Sequence, residues 1–354
     1  MADTSVKKNS YIELLRFIFC LIIVIHHSGF VSADGSTFFG SGALVADAFF
    51  MITGYFTIRH IEKEGEVTDK MAYAMKYTVK KLLRVLPYAA IGTFIAYVLI
   101  IVQKPADAPF MDYIITLQNM PFELILAPMA GVINTDLSTY HNAPLWFLSS
   151  MLIGLPWVIY LALRFRDVFK NYLVWFVPAF LEAWMVVTYG GACPWQQYSG
   201  ILYSGVIRGF AGMMMGCSIY YASNALSRRC AGMKSITKTA LTILEVLLLV
   251  FTIYYMHREL TGYDEVFTLY VIGIVLTFAF SGVTFTSSVK GSFFAKLGSI
   301  TMPIYCMHWG VFQWVGAYLG HLGYPLCVGI TLAICIVLSI VSMYIINRLN
   351  CNRN

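Results

Sequence analysis

The chain has 354 residues, of which 59% are apolar and only 12% are charged. A mean hydropathy of +0.71 excludes a soluble globular domain and indicates a polytopic membrane protein. The net charge of +6 does not indicate nucleic-acid binding, because the basic residues are concentrated in alternate loops between apolar stretches.

Ten apolar stretches of membrane-spanning length follow one another along the chain. They cover residues 11–31, 40–58, 85–103, 144–163, 172–189, 200–222, 236–256, 266–284, 299–319 and 325–347. One set of tails and loops, from Lys7 to Arg353, is rich in lysine and arginine, whereas the alternate set holds little besides Lys104 and Arg258. The positive-inside rule therefore places both termini in the cytoplasm. We predict an all-α fold, a polytopic bundle of about ten transmembrane helices that forms one integral membrane domain over residues 1–354.

The first span carries two ionisable side chains, Arg16 and His27, which are eleven residues apart. At about 100° per residue, both would lie on one helix face, roughly 16 Å apart along the axis. The same helical step predicts that His26 points well away from His27. Ionisable groups at membrane depth are costly and are usually functional, so this face suggests a path across the membrane. The alternative is that Arg16 extends to cytoplasmic headgroups and His27 lies in the outer interface.

Asp47 lies at the predicted outer end of the second span. Because adjacent antiparallel spans bring their outer ends together, its carboxylate could pair with the imidazole of His27. A carboxylate that fixes the tautomer of an imidazole and raises its basicity produces a general base. The alternative is an interfacial helix cap.

Two long loops separate the second, third and fourth spans. The basic cytoplasmic loop is predicted to be helical from Asp69 to Pro87, and its cations Lys80, Lys81 and Arg84 could hold phosphates or anchor the chain on anionic lipid. The outer segment, residues 104–143, is interrupted by prolines, so its apolar part is predicted to lie at the interface or to re-enter the membrane.

Three later residues also attract attention. Trp146 opens the fourth span from the outside, which is also typical of an aromatic belt. Arg208 lies mid-membrane without an obvious partner in its own helix. His308 follows Pro303 within the ninth span, although a lone intramembrane histidine is often a packing residue.

Several familiar signatures are missing from the sequence. The eight cysteines are scattered singly and indicate neither a disulfide framework nor a zinc site, although a bridge between Cys193 and Cys327 is possible. There is no phosphate-binding loop of the Walker type, no GxSxG elbow, no HExxH motif and no dinucleotide fingerprint. Any chemistry must therefore come from residues inside the membrane.

Taken together, five segments resemble the membrane-bound acyltransferase-3 family across essentially the whole chain. The segments are Arg16 to Gly29, Val45 to Gly54, Arg84 to Pro87, Pro144 to Leu148, and Ile304 to His308. The family motif of the first span fits His27 and does not fit His26. Where many polysaccharide-modifying relatives have a Glu-Glu pair after the fourth-span tryptophan, this chain has Ser149-Ser150, which leaves the acceptor open.

The resemblance implies an acyltransferase domain that moves an acyl group, usually acetyl, from cytoplasmic acyl-CoA to a hydroxyl of a cell-envelope polysaccharide or glycolipid. It implies catalytic roles for His27, Asp47 and Arg16, donor binding by Arg16, Lys80, Lys81 and Arg84, and substrate binding by Trp146, Arg208, Tyr305 and His308. Acetyl-CoA would be a donor substrate, with no permanently bound cofactor and no metal. Membrane lipid would surround the protein in a bacterial plasma membrane, and the oligomeric state is open.

Two other functions remain compatible with these residues. In a proton-coupled transporter or exporter, Arg16, His27, Arg208 and His308 would form a proton or anion pathway. We find no convincing similarity between the two halves of the sequence, which weighs modestly against transport. In the second alternative, the chain is a membrane ligand-binding subunit without catalysis.

Overall fold

The computed structural model describes residues 9–130, 140–200 and 202–351. These residues are predominantly helical and contain almost no strand, which confirms the predicted all-α fold. The helices are α1 (Ser10–His26), α2 (Val45–Ile61), α3 (Lys70–Val102), α4 (Phe110–Leu117), α5 (Met120–Leu124), α6 (Trp146–Arg164), α7 (Arg166–Val168), α8 (Val174–Tyr189), α9 (Ser204–Arg229), α10 (Ser235–His257), α11 (Tyr263–Ser281), α12 (Ser292–Leu319) and α13 (Tyr324–Cys351). A π-helical turn, Phe169–Leu173, joins α7 to α8, and the two-residue strands β1 (Tyr198–Ser199) and β2 (Leu202–Tyr203) form an antiparallel pair.

Each of the ten predicted spans coincides with one long helix. Within the described residues, six helical segments are long and apolar enough to cross a membrane, namely Lys70–Val102, Ala143–Arg164, Arg166–Tyr189, Ser235–His257, Tyr263–Ser281 and Tyr324–Leu349. The other four long helices are α1 and α2, with 17 residues each, and the longer α9 and α12. The protein is therefore a multi-pass membrane protein, while the number of spans stays a prediction.

The third predicted span differs from the structure in its length. Its helix begins after Asp69, whose side chain accepts a hydrogen bond from the backbone N–H of Ala72, as the sequence suggests. It does not end at Pro87, however, but continues through this residue to Val102. A proline removes one backbone hydrogen bond from a helix without ending it, provided that packing against neighbouring helices compensates for the loss.

The outer segment between α3 and α6 contains no helix of spanning length among its described residues. It forms α4, α5 and a 3₁₀ turn, Pro128–Ala130, and residues 131–139 lie outside the described part. None of the residues of α4 is buried, and its Phe110 is 77% exposed. An apolar helix without buried residues could lie at the membrane interface, and this position stays a prediction.

Helices α1 and α12 run side by side in the same direction. The thiol of Cys20 contacts the carbonyl oxygen of Thr301, and further along both helices His27 contacts His308. These helices correspond to the first and ninth predicted spans. Because spans alternate in direction, two odd-numbered spans must run parallel, as these two do.

Helices α2 and α9 also run in the same direction. Asp47 contacts Arg208 near the start of both helices, and Glu62, just after α2, accepts a hydrogen bond from Tyr221 in the second half of α9. These helices correspond to the second and sixth predicted spans. The parallel packing of two even-numbered spans again agrees with an alternating bundle.

Two glycines allow α2 and α9 to approach at backbone distance. A Cβ atom on Gly54 would overlap the carbonyl oxygen of Met213, and one on Gly216 would overlap the carbonyl oxygen of Met51. Close approach of small residues is a common way of joining helices in lipid, where apolar side chains gain little by association. The pair α2–α9 therefore forms a tightly packed wall behind the candidate site.

Candidate active site

A cavity of about 210 Å³ lies where α1 and α12 meet α2, α6 and α9. Its wall contains the imidazoles His26 and His27, the indoles Trp146, Trp195 and Trp309, the phenol Tyr305 and the guanidinium Arg208. Four residues that the sequence singled out, His27, Trp146, Arg208 and Tyr305, thus share one cavity although they come from four helices. The cavity is smaller than the roughly 300–1,000 Å³ of sites for drug-sized ligands, so its size suits one small ring.

A hydrogen-bond chain fixes the proton positions on His27. Nδ1 of His308 lies 2.7 Å from the carbonyl oxygen of Tyr305, which can only accept, so this nitrogen carries the proton. In the neutral ring, Nε2 of His308 is then an acceptor, and Nδ1 of His27, 2.8 Å away, must donate to it. This leaves the lone pair on Nε2 of His27, as a general base requires. His27 therefore pairs with His308. The predicted pair of His27 and Asp47 is not formed.

Asp47 is instead the partner of Arg208, a residue that seemed unpaired in the sequence. Nε and Nη2 of Arg208 lie 2.9 and 2.6 Å from the two carboxylate oxygens, and both residues are almost completely buried. A second N–H of Nη2 bonds the carbonyl oxygen of Ala43 and one N–H of Nη1 bonds that of Cys193, so four of the five N–H groups have partners. A guanidinium supplies both a charge and parallel donors, which a neutral imidazole cannot offer to a buried carboxylate.

This ion pair bears on the roles predicted for its two members, the pairing of Asp47 with His27 and the binding of substrate by Arg208. With four of its five N–H groups engaged, Arg208 lines the cavity, and its Cζ atom lies 5.2 Å from the ring centre of Trp146. The guanidinium thus supports the cavity wall, and the substrate-binding role of Arg208 stays a prediction. The carbonyl group of Cys193 is one of its partners, and the thiols of Cys193 and Cys327 are free, so the bridge considered above is not formed.

The structure places His26 in the cavity beside His27, which the sequence did not predict. The ring centres are 5.2 Å apart. The prediction assumed a regular helix through both residues, whereas α1 ends at His26 and the backbone of His27 has φ −84° and ψ 8°. Beyond the last helical residue, the step of about 100° no longer applies.

Three indole rings form the aromatic wall. Trp146 and Trp195 stack with ring centres 5.9 Å apart and planes at 29°, and Trp309 meets the ring of His27 edge-on at 5.1 Å. Gly205 leaves room for this stack, because a Cβ atom there would press against Trp146 and the carbonyl of Trp195. Trp195 was missed because it lies in the irregular stretch after α8, where no periodic pattern identifies its neighbours.

A buried carboxylate outside the spans holds the rim of the cavity. Glu123 of α5 accepts hydrogen bonds from the hydroxyl of Tyr97 at 2.9 Å and from the backbone N–H groups of His141 and Asn142 at 2.7 and 3.1 Å. Burial raises the pKa of Glu123 to about 7. These bonds fix the turn that leads into Ala143–Leu145 and so position Trp146.

The serines that replace the Glu-Glu pair are both buried in α6. The hydroxyl of Ser149 accepts a hydrogen bond from the backbone N–H of Met129 at 3.0 Å. Ser149 therefore connects α6 to the outer segment. No carboxylate follows Trp146 directly, so the residue at this position cannot provide acid–base chemistry.

The predicted donor-binding cations lie near the start of α1 and in the first half of α3. Arg16 forms an ion pair with Glu13 at 2.9 Å, and the ammonium of Lys81 is close enough to Arg16 and Arg84 to feel their charges. Lys80 is exposed one helical turn before Arg84, but its charge does not act on Lys81 as those of Arg16 and Arg84 do. The structure thus gathers three of the four predicted cations, and we call Arg16, Lys81 and Arg84 the basic cluster.

Comparison with known proteins identifies the family of the chain. A family model described as an acyltransferase domain matches residues 9–347, nearly the whole chain. The chain belongs to the acyltransferase-3 family. Comparisons with curated proteins and with solved structures give no match. The protein is therefore a multi-pass membrane acyltransferase, and the remaining questions concern its donor, its acceptor and its base.

Proposed function

We propose that the protein transfers an acetyl group from acetyl-CoA to a hydroxyl of a cell-envelope polysaccharide or glycolipid, with His27 as the general base. The observation that supports this most directly is the lone pair on Nε2 of His27, because His27 lines an aromatic cavity. The basic cluster lies toward the other end of α1, where its cations would bind the phosphates of CoA.

The chemical step needs only one base and no metal ligand. Nε2 of His27 takes the proton of the acceptor hydroxyl, and the hydroxyl oxygen attacks the carbonyl carbon of the thioester. The bond between that carbon and sulfur breaks, and the proton passes from His27 to the leaving thiolate, giving free CoA and the acyl ester. During this step the hydrogen bond to His308 stabilises the positive charge on His27.

The aromatic wall supports a carbohydrate acceptor. Sugar rings present C–H faces that pack on indole rings, and Trp146 and Trp195 offer such a surface beside His27. The ion pair of Asp47 and Arg208 is neutral overall, so the cavity does not favour a strongly charged group. We place the protein in a bacterial plasma membrane, with the donor bound on the cytoplasmic side.

The proposal is tested with purified full-length protein, radiolabelled acetyl-CoA and an envelope-glycan extract. Wild type is expected to transfer label to the glycan, and His27→Ala is expected to lose about 10²- to 10⁴-fold in rate, the usual contribution of a general base. The matched control is His321→Ala, since His321 is exposed in the turn Gly320–Leu322. It should transfer at the wild-type rate.

Two results would contradict the proposal in different ways. Full transfer by His27→Ala would show that another group is the base. If wild type transfers label neither to the extract nor to any component of it, the proposed donor or acceptor is wrong.

A further inference from the structure

His26 has a defined orientation within the cavity that the proposed chemistry does not use. Its Nδ1 lies 2.6 Å from the carbonyl oxygen of Phe39, so this nitrogen must donate. Gly42 packs directly against its Cβ atom, where any side chain on Gly42 would overlap. The ring is therefore held by the loop that precedes α2, and not by its own helix alone.

His26 contributes a second imidazole lone pair to the cavity wall. With Nδ1 protonated, the neutral ring of His26 keeps its lone pair on Nε2, and within residues 9–130, 140–200 and 202–351 this atom has no hydrogen-bond partner. His27 has the same arrangement for a different reason, since its Nδ1 donates to His308. The residues that carry these two acceptors, His26 and His27, thus line one small cavity.

The spacing of the two rings suits two hydroxyls on adjacent carbons. The ring centres lie 5.2 Å apart with the planes tilted by 49°. Each hydroxyl would donate over a distance of about 2.8 Å, so a pair of neighbouring hydroxyls can reach both imidazoles at once. A ligand with a single hydroxyl would leave one of the two lone pairs without a donor from the ligand in a half-buried site, which costs free energy.

We infer that His26 is a specificity-determining residue that binds a second hydroxyl of the acceptor, so that the acceptor carries a vicinal diol. One hydroxyl of the diol donates to His27 and is acylated, and its neighbour donates to His26 and stays free in the product. This inference rests on the proposed function, because it names the chemical class of the acceptor at the same site.

Periodate provides the test, because it cleaves the carbon–carbon bond of vicinal diols and leaves isolated hydroxyls intact. One portion of the envelope-glycan extract is treated with periodate and then borohydride, which reduces the resulting aldehydes to alcohols. The matched portion receives borohydride alone. Wild type with radiolabelled acetyl-CoA should transfer label to the matched portion at least about tenfold faster than to the cleaved portion, since one hydrogen bond is worth about that factor.

Two variants of His26 separate binding from a merely structural role. In His26→Asn the amide N–H can still donate to the carbonyl of Phe39, but no acceptor reaches the position of Nε2. In His26→Gln the amide oxygen can reach that position. On the matched portion we expect His26→Asn to raise KM about tenfold with little change in kcat, and His26→Gln to recover part of the loss. On the cleaved portion His26→Asn and wild type should have equal rates.

Several outcomes would overturn the inference. A wild-type KM for His26→Asn on the matched portion would show that His26 does not bind the acceptor. Equal transfer by wild type to the two portions would show that no diol is needed. In both cases, loss of transfer in His27→Ala would leave the proposed function intact, whereas a wild type inactive on the matched portion would overturn both proposals.

Discussion

The basicity of His27 depends on a residue that never reaches the cavity. His308 is fully buried in α12 and receives the hydrogen bond of His27 because its own proton is held by the carbonyl of Tyr305. The carbonyl of Tyr305 lies three residues earlier in the same helix, so α12 itself holds this proton in place. His308 is thus a positioning residue, which sets the tautomer of the base and the direction of its lone pair.

Replacing His308 should affect turnover more than binding. In His308→Phe, no acceptor holds Nδ1 of His27, and we expect kcat to fall roughly 10- to 100-fold with KM nearly unchanged. In His308→Gln, the amide oxygen can still accept from His27, so part of the rate should return. Initial rates with labelled acetyl-CoA measure both parameters, and His321→Phe is the control. A raised KM with unchanged kcat in His308→Phe would contradict a positioning role.

The sequence identified the members of this site better than their pairings. His27, Trp146 and Tyr305 were found through their types and motifs, and they share the cavity. Pairings depend on which donor and acceptor prevail once helices pack, and that competition is not visible in a sequence. Asp47 had two possible partners, a neutral imidazole and a guanidinium 161 positions away in the sequence. It pairs with the guanidinium, which is charged and offers parallel donors.

At the scale of the helices, the ion pair of Asp47 and Arg208 joins α2 to α9 behind the cavity. Both side chains lie almost fully out of solvent, so the charge of each is tolerated only because the other is present. Arg208 also bonds the carbonyls of Ala43 and Cys193, which brings the loop before α2 and the stretch after α8 to the same place. One side chain therefore positions three segments that form the cavity wall.

Removing one member of this pair should be much worse than removing both. Asp47→Leu leaves a buried cation and Arg208→Met leaves a buried anion, and we expect each to lower the free energy of unfolding by about 3–5 kcal/mol. In the double variant no charge is left unpaired, so its thermal midpoint in detergent should exceed that of either single variant. Tryptophan fluorescence during heating measures the midpoints.

The control for this cycle is Glu64→Gln, which breaks the exposed pair between Glu64 and His60. Exposed pairs contribute about 0–1 kcal/mol, so the midpoint should hardly move. A double variant with the summed losses of the two single variants would argue against coupling between Asp47 and Arg208.

Three of the helices that build the site are poorly identified by hydropathy. Among the described helices, α1 and α2 are short, and α9 carries Arg208 together with a series of glycines, so none of the three is among the segments selected by length and apolar composition. They can be short or polar because they face one another instead of lipid. The sequence analysis nevertheless included all three, as residues 11–31, 40–58 and 200–222, among its ten apolar stretches.

At the scale of the whole molecule, the predicted function requires the two substrates to bind toward opposite ends of α1. The basic cluster lies near its start, and the cavity lies at its end, where His26 and His27 close the helix. Along the helix axis, Arg16 and His27 are about 16 Å apart, around half of a bilayer core. A donor bound at the cluster would thus deliver its acyl group well inside the membrane, where water competes poorly as an acceptor.

This arrangement predicts which loops face each side of the membrane. Ser36 lies in the exposed loop before α2, and Lys63 is exposed just after its end. In a chain whose eight natural cysteines are replaced by serine, a membrane-impermeant maleimide should label Ser36→Cys in intact spheroplasts. Lys63→Cys should react only after permeabilisation, because the positive-inside rule keeps its basic loop in the cytoplasm.

The reverse labelling pattern would place the basic cluster outside the cell, where acyl-CoA is absent, and would contradict cytoplasmic donor binding. Labelling of both positions in sealed spheroplasts would instead show that α2 does not cross the membrane. The predicted pattern would leave Arg16, Lys81 and Arg84 on the side that supplies the donor and His27 toward the side that holds the glycan. Since Arg16 lies within α1 and His27 directly follows its last residue, the orientation of this single helix then determines the direction of transfer.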